Sequence, residues 1–140
     1  MKSSKLILAI FAACALALSS LACGQTASKS QASNIYMATD ETGKIKSTTY
    51  SKTDDFFVFL DASGIEPGTQ YQARWYALDV PGRDPNNPIK IIDYSYDEKK
   101  ESLTNIYIQL ASDKEWPAGR YRVEIYMNGA KVGEQQFNVE

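Results

Sequence analysis

Residues 116–140 read WPAGRYRVEIYMNGAKVGEQQFNVE, and this stretch decides the fold. Tyr121, Val123, Ile125 and Met127 share one parity; Arg120, Arg122, Glu124 and Tyr126 share the other. A period of two is the mark of a strand with one face in a core and one in water. Asn128-Gly129 then separates this run from a second one ending in Phe137-Asn138-Val139. Asn-Gly suits a two-residue type I′ hairpin turn, because both central residues need positive φ. Such a turn pairs Met127 with Ala130 and Ile125 with Val132. Carried on unchanged, that count would bury Glu134 and turn Phe137 and Val139 to solvent, which is unfavourable on both counts. One extra residue in the last strand restores Tyr121 opposite Phe137. The sequence therefore predicts a β-bulge at Gly133–Glu134, opposite Glu124, since bulges favour glycine and reverse the facing of everything beyond them.

The same rhythm runs back to Asn34, with turn residues every eight to twelve positions, as expected for a sandwich or barrel. Ile35–Ala38 reads as a first strand and Lys46–Ser51 as an edge segment. Phe56–Leu60 is wholly apolar and reads as a central strand. Gln70–Asp79 alternates, with Tyr71, Ala73, Trp75 and Ala77 inward. Val80–Pro88 is a proline-rich loop, Ile89–Tyr96 a strand, and Asp97–Ser102 a charged turn. Leu103–Ala111 is a strand with Ile106, Ile108 and Leu110 inward.

The run Trp116-Pro117-Ala118-Gly119-Arg120-Tyr121-Arg122-Val123, with the hairpin that follows it, resembles the closing strands of immunoglobulin-like and fibronectin-III-like domains. The resemblance implies an all-β, immunoglobulin-like antiparallel β-sandwich of about seven strands over residues 34–140. It also implies that Tyr121 anchors a corner and that Trp75 is the buried core tryptophan. The chain departs from that family in lacking its inter-sheet cysteine pair. Phe57 or Phe59, with Val123 or Ile125, is expected to fill the space.

The N-terminus has a different composition. Met1–Lys5 is basic, Leu6–Leu18 is continuously apolar and Ser19–Ala22 is small, the order of a secretory signal peptide. Its apolar run is shorter than the roughly 18–20 residues of a spanning helix. Ser20-Leu21-Ala22-Cys23-Gly24 resembles the lipobox of bacterial lipoproteins, with Ser20 standing where that family favours leucine. The resemblance implies cleavage before Cys23 and lipidation of its thiol, with palmitate-type acyl chains holding the protein to a membrane. Residues 23–33 then form a Gly/Ser/Gln/Lys tether. The protein is expected to be exported, anchored to the cell membrane or the outer membrane, with its domain facing away from the cytoplasm. The competing reading is a soluble secreted protein, since Ser-Leu-Ala also suits ordinary signal peptidase.

Removing residues 1–22 takes away Lys2 and Lys5 and leaves 13 basic groups against 17 acidic ones, a net of −4. That balance argues against nucleic acid as a partner. The chain has no histidine, and Cys23 is the single cysteine after the leader. The usual Ser-His and Cys-His pairings therefore cannot be built, and no catalytic residue or cofactor is expected. Asp79, Asp84, Asn86 and Asn87 offer oxygen ligands on one loop, but their spacing fits no calcium loop and they are ordinary turn formers, so no metal is expected.

Arg74, Tyr76, Arg122 and Tyr126 are the candidate partner-binding residues. They share the outward parity on strands that should be neighbours, and tyrosine and arginine are enriched at binding hot spots. Both tyrosines are expected to be half-exposed and replaceable by serine without loss of stability. The leading expectation is a non-catalytic envelope lipoprotein whose domain binds a protein or builds envelope structure. The alternative is a carbohydrate-binding module, which would need coplanar exposed aromatic rings. Trp116, in a turn, is read as a plug under the corner and not as a sugar platform.

Lipidation makes a direct prediction. Cys23→Ser should move the protein from the membrane fraction to the soluble one, and mass spectrometry of the wild-type N-terminus should show a diacylglyceryl-modified cysteine. An unmodified thiol there would disprove the anchor.

Overall fold

Every segment expected to alternate or to run apolar between Asn34 and Val139 forms a strand. The computed structural model describes residues 34–61, 65–66, 68–95 and 105–140. The leader, Cys23 and the tether lie outside the described residues, as do the expected turn at 97–102 and part of the turn at 64–68. The strands are β1 (Tyr36–Ala38), β2 (Thr49–Tyr50), β3 (Phe56–Asp61), β4 (Gln70–Ala77), β5 (Lys90–Ser95), β6 (Asn105–Leu110), β7 (Gly119–Met127) and β8 (Ala130–Val139). They make two sheets, ordered β1-β3-β6 and β2-β8-β7-β4-β5. The order β8-β7-β4-β5 corresponds to G-F-C-C′ of the immunoglobulin sandwich, and β1-β3-β6 to A-B-E.

The expected antiparallel pairing holds except at β2. This two-residue strand runs parallel to β8, pairing Thr49 with Asn138 and Tyr50 with Val139. It brings the described strands to eight where about seven were expected. Its Tyr50 hydroxyl reaches across the sandwich to donate to the Ala38 carbonyl at 2.9 Å.

The core lies between the sheets, and its parity is the predicted one on β4, β6 and β7. Tyr71, Ala73, Trp75 and Ala77 are buried from β4, Tyr121, Val123, Ile125 and Met127 from β7, and Ile106, Ile108 and Leu110 from β6. On β3 the inward residues are Phe56, Val58 and Leu60. Phe57 and Phe59 do not fill the space of the missing disulfide. They sit on the other face of the three-stranded sheet, in a satellite cluster with Ala38 and Tyr36. A wholly apolar strand carries no parity signal, so alternation could not choose between its faces. Phe56 takes the central position, with ring centroids 4.8 Å from Phe137, 4.8 Å from Trp116 and 5.0 Å from Tyr50.

Trp116 is the expected plug: it packs on Phe56 and its Nε1 donates to the Asp54 carbonyl at 3.0 Å. Tyr121 is the expected corner residue. Its hydroxyl donates to the Pro117 carbonyl at 2.7 Å while its ring stacks on Phe137.

The closing hairpin turns at Asn128 and Gly129, with φ of 47° and 84°, as a type I′ turn requires. The pairing changes as expected, from Tyr126↔Lys131 to Ile125↔Gly133, so that Tyr121 faces Phe137. The extra residue, however, is Val132, one step earlier than the predicted Gly133–Glu134. Packing explains the difference. Val132 stays half-buried against the core. Gly133, opposite Ile125, leaves room for Ile35, whose Cδ1 would lie 2.5 Å from a Cβ built at Gly133.

Trp75 is 1% exposed, and its indole N–H finds no acceptor among the described residues. Trp75→Ala should cost about 3–5 kcal/mol, a large share of the roughly 5–15 kcal/mol of a small domain. Trp75→Phe should cost much less, because it also removes an unpaired buried donor. Thermal or denaturant unfolding of the two variants checks both; a melting temperature unchanged by Trp75→Ala would refute the core assignment.

Candidate interaction face on the five-stranded sheet

The outward residues of β4 and β7 meet in register. Tyr76 pairs with Arg122, Arg74 with Glu124 and Gln72 with Tyr126. The four residues singled out from parity are thus brought together on one surface. Each arginine lies over a tyrosine ring: the Arg74 guanidinium is 4.0 Å from the Tyr126 centroid, and that of Arg122 is 4.6 Å from Tyr76. Such stacking immobilises both partners.

Tyr76 corrects the sequence reading. It points to the outer face but is only 7% exposed, and Arg122 covers its ring. Tyr126 is half-buried and its hydroxyl donates to Glu124 Oε2 at 2.9 Å. Replacing both by serine would therefore destabilise the sheet, contrary to the expectation from parity. Alternation reports which way a side chain leaves the strand, and long neighbours laid across it decide its exposure.

Glu124 is the residue that sequence reasoning missed. It is buried on the outer face, at 7% exposure, beneath a cage of donors. Lys131 Nζ lies 2.8 Å from its Oε1, and Arg122 Nε approaches the same oxygen at 3.2 Å as an ion pair without hydrogen-bond alignment. Glu134 stands directly opposite Glu124 on β8. Two carboxylates facing each other across strands repel. Lys131 resolves this by bridging to Glu134 Oε2 at 2.6 Å.

That bridge depends on the bulge. Residues three apart on an unbroken strand face opposite ways, and the extra residue Val132 brings Lys131 and Glu134 to the same side. A signal was available in the sequence, since the register count alone implies the parity switch between them.

Beside this cage lies a concavity of about 200 Å³ lined by Gln70, Gln72, Arg74, Asp93, Tyr126 and Gly129. Gln72 joins two of its walls. Its Nε2 donates to Asp93 Oδ1 at 2.7 Å, and its Oε1 accepts from Arg74 Nε at 2.5 Å. Ile91, paired with Arg74 on the other side, is 45% exposed. The loop between β4 and β5 uses its oxygens internally: Asp84 accepts from the Asn86 amide at 2.9 Å and from Asn87 Nδ2 at 2.7 Å. Asp79 pairs with Arg120 at 3.8 Å. Among the described residues no three acidic, histidine or cysteine side chains gather as a metal site would require.

Comparison with solved structures bears on the fold alone. An immunoglobulin-like protein from Pseudomonas aeruginosa superposes with a TM-score of 0.52 at 12% identity, over 76% of this chain and 92% of that one. The fold is immunoglobulin-like. Matches to an alkylpurine DNA glycosylase of Pseudomonas fluorescens and a superoxide reductase of Ignicoccus hospitalis reach TM-scores of only 0.37 and 0.39, at 11% and 14% identity. They cover 76% and 67% of this chain, and 30% and 76% of theirs, and such weak superposition says nothing about this protein. No protein-family model matches the chain, and no curated protein sequence does. Within the immunoglobulin-like frame, the Tyr/Arg face and its concavity occupy the outer surface of the β8-β7-β4-β5 sheet.

The cage sets a pH dependence. Burial pushes the Glu124 carboxyl up, but the hydrogen bonds from Lys131 and Tyr126 and the charges of Lys131 and Arg122 outweigh it, so Glu124 titrates below its ordinary value of 4.5. Hydrogen bonds to Glu124 and Glu134 hold Lys131 above its ordinary 10.5. A depressed acid contributes stability above its unfolded pKa and loses it as pH falls through the folded one; a raised base contributes below its unfolded pKa and loses it as pH rises through the folded one. The cage should therefore stabilise the fold between the ordinary glutamate and lysine values and fade beyond both. Lys131→Ala should cost about 1–3 kcal/mol at neutral pH, the penalty for taking a donor from a buried acceptor, and Glu124→Gln should flatten the acid limb of melting temperature against pH. An unchanged acid limb would show that Glu124 does not carry it.

Proposed function

We propose that this chain is a non-catalytic lipoprotein of the cell envelope. In this reading, lipid on Cys23 anchors it and the outer face of β4, β5 and β7 binds a partner protein. The anchor rests on the leader, the lipobox-like sequence and the tether. The binding role rests on one observation: Arg74, Tyr76, Arg122 and Tyr126 form a single ordered patch with exposed Ile91 at its margin. Side chains already held by stacking and ion pairing lose little entropy when a partner arrives. A patch of tyrosine and arginine next to an exposed aliphatic residue has the composition of a binding hot spot.

The geometry favours a protein over a glycan on this face. A sugar platform needs open ring faces, and here a guanidinium lies over each tyrosine. The absence of histidine, with Cys23 as the single cysteine after the leader, leaves the usual nucleophile–base pairs without members.

Photo-crosslinking in living cells tests the face without disturbing its cage. A benzoylphenylalanine at Ile91, 45% exposed, should trap one specific protein. The same probe at Ile45, 62% exposed in the β1–β2 loop, should not. The same adduct from both positions, or none from Ile91 in membranes that retain the protein, would overturn the assignment. Retention on a glycan array by the wild-type protein, with no adduct at Ile91, would favour the carbohydrate reading instead.

A further inference from the structure

Arg74 stands opposite Glu124 in the β4–β7 register, yet it does not pair with it. Glu124 is occupied by Lys131, Arg122 and Tyr126. Arg74 instead lays its guanidinium on the Tyr126 ring and donates its Nε to Gln72. Gln72 cannot turn its amide round, because its Nε2 is held by Asp93. The relay from Asp93 through Gln72 to Arg74, closed by Tyr126 underneath, fixes the plane of the guanidinium. Its two Nη nitrogens are left with no acceptor among the described residues, at the wall of the concavity. A guanidinium held in one plane with its outer edge free is the complement of a carboxylate, which it can take in two parallel N–H···O bonds.

We infer that the concavity is a receptor for a carboxylate side chain, an aspartate or glutamate of the partner protein, with Arg74 as the residue that binds it. This rests on the proposed protein-binding face and names the chemistry of its partner. The surroundings agree. Arg122 and Lys131 offset Glu124 and Glu134 within the cage, which leaves the Arg74 guanidinium without a carboxylate ion pair among the described residues. Asp93 is the one carboxylate lining the concavity, and its Oδ1 already accepts from Gln72. The available volume of about 200 Å³ accommodates one side chain and not a folded loop.

The mature full-length protein, ¹⁵N-labelled in detergent micelles, is titrated with the capped tripeptide acetyl-Gly-Glu-Gly-amide and with its glutamine counterpart. The glutamate peptide should shift the Arg74 Nε–H signal and the Gln72 side-chain amide in the millimolar range, and the glutamine peptide should shift neither. Arg74→Lys keeps the charge but loses the fork, and should weaken binding about tenfold, the scale of one charge-assisted hydrogen bond. Equal response to both peptides, or no response to either, overturns the inference, and needs no variant to fold. Galacturonate binding more tightly than the glutamate peptide would overturn it in favour of an acidic sugar. An Ile91 crosslink that survives Arg74→Lys undiminished leaves the face standing and removes the role of Arg74. Loss of the crosslink in the wild type, with the peptide shifts present, removes the face as a protein dock and leaves only a carboxylate site.

Discussion

A contact between aromatic rings, reaching from one sheet to the other, joins the two halves of a domain that lacks the inter-sheet disulfide of the immunoglobulin family. Phe56 projects from β3 into the rings of Phe137, Tyr50, Tyr121 and Trp75 on the opposite sheet, with Trp116 closing the end. The only cysteines are Cys14 and Cys23, so no covalent bond can join the sheets of this domain. A disulfide typically contributes about 2–4 kcal/mol, and each well-oriented aromatic pair about 0.5–1.5 kcal/mol beyond its buried area. A cluster of several such pairs therefore matches what the bond would supply. Three of its polar ends are satisfied, since Tyr50 bonds Ala38, Tyr121 bonds Pro117 and Trp116 bonds Asp54, while the Trp75 indole N–H finds no acceptor among the described residues. Burial pushes the Tyr50 hydroxyl far above the ordinary tyrosine range, so it stays protonated and keeps donating.

Phe137 can reach this cluster only because β8 contains one residue too many. The bulge at Val132 turns Phe137 and Val139 inward and thereby completes the core. On the opposite surface it places Lys131 and Glu134 together, so that one ammonium bridges two carboxylates that would otherwise repel. Core packing and surface electrostatics thus share one backbone irregularity. A change that removed the bulge would turn Phe137 and Val139 to solvent and at the same time bring Glu134 inward opposite Val123, away from Lys131.

Most of this frame was legible in the sequence, and the misses follow from physics. β4 and β7 alternate strictly, so parity alone assigns their inward and outward residues. The register change in β8 was legible from counting, because an inward Phe137 and a two-residue Asn-Gly turn are incompatible without it. Its position was off by one residue, since glycine preference pointed to Gly133 while the packing of Val132 and Ile35 decided the matter. Phe56–Leu60 gave no parity, being apolar throughout. The parallel β2–β8 pairing was illegible because two residues carry no periodic signal. The four face residues were placed together correctly, but burial of Tyr76 and Glu124 arises from side chains crossing between strands, which a one-dimensional pattern does not encode.

The two arginines of that face show how one surface can hold a structural element and a receptive one together. Both lie over tyrosine rings on adjacent strands, and both have Glu124 within reach along β7 or across the ladder. Arg122 spends its charge on Glu124, and a buried carboxylate needs that neutralisation. Once Glu124 is also held by Lys131, a third cation would add little, because its oxygens are already occupied. Arg74 is left over electrostatically but not conformationally, since Gln72 and Tyr126 still fix it. A charge whose local partner is saturated, on a side chain whose entropy has already been lost, retains most of its interaction energy for a ligand from outside. The binding capacity proposed for this face would therefore be a by-product of how completely the cage beside it is satisfied.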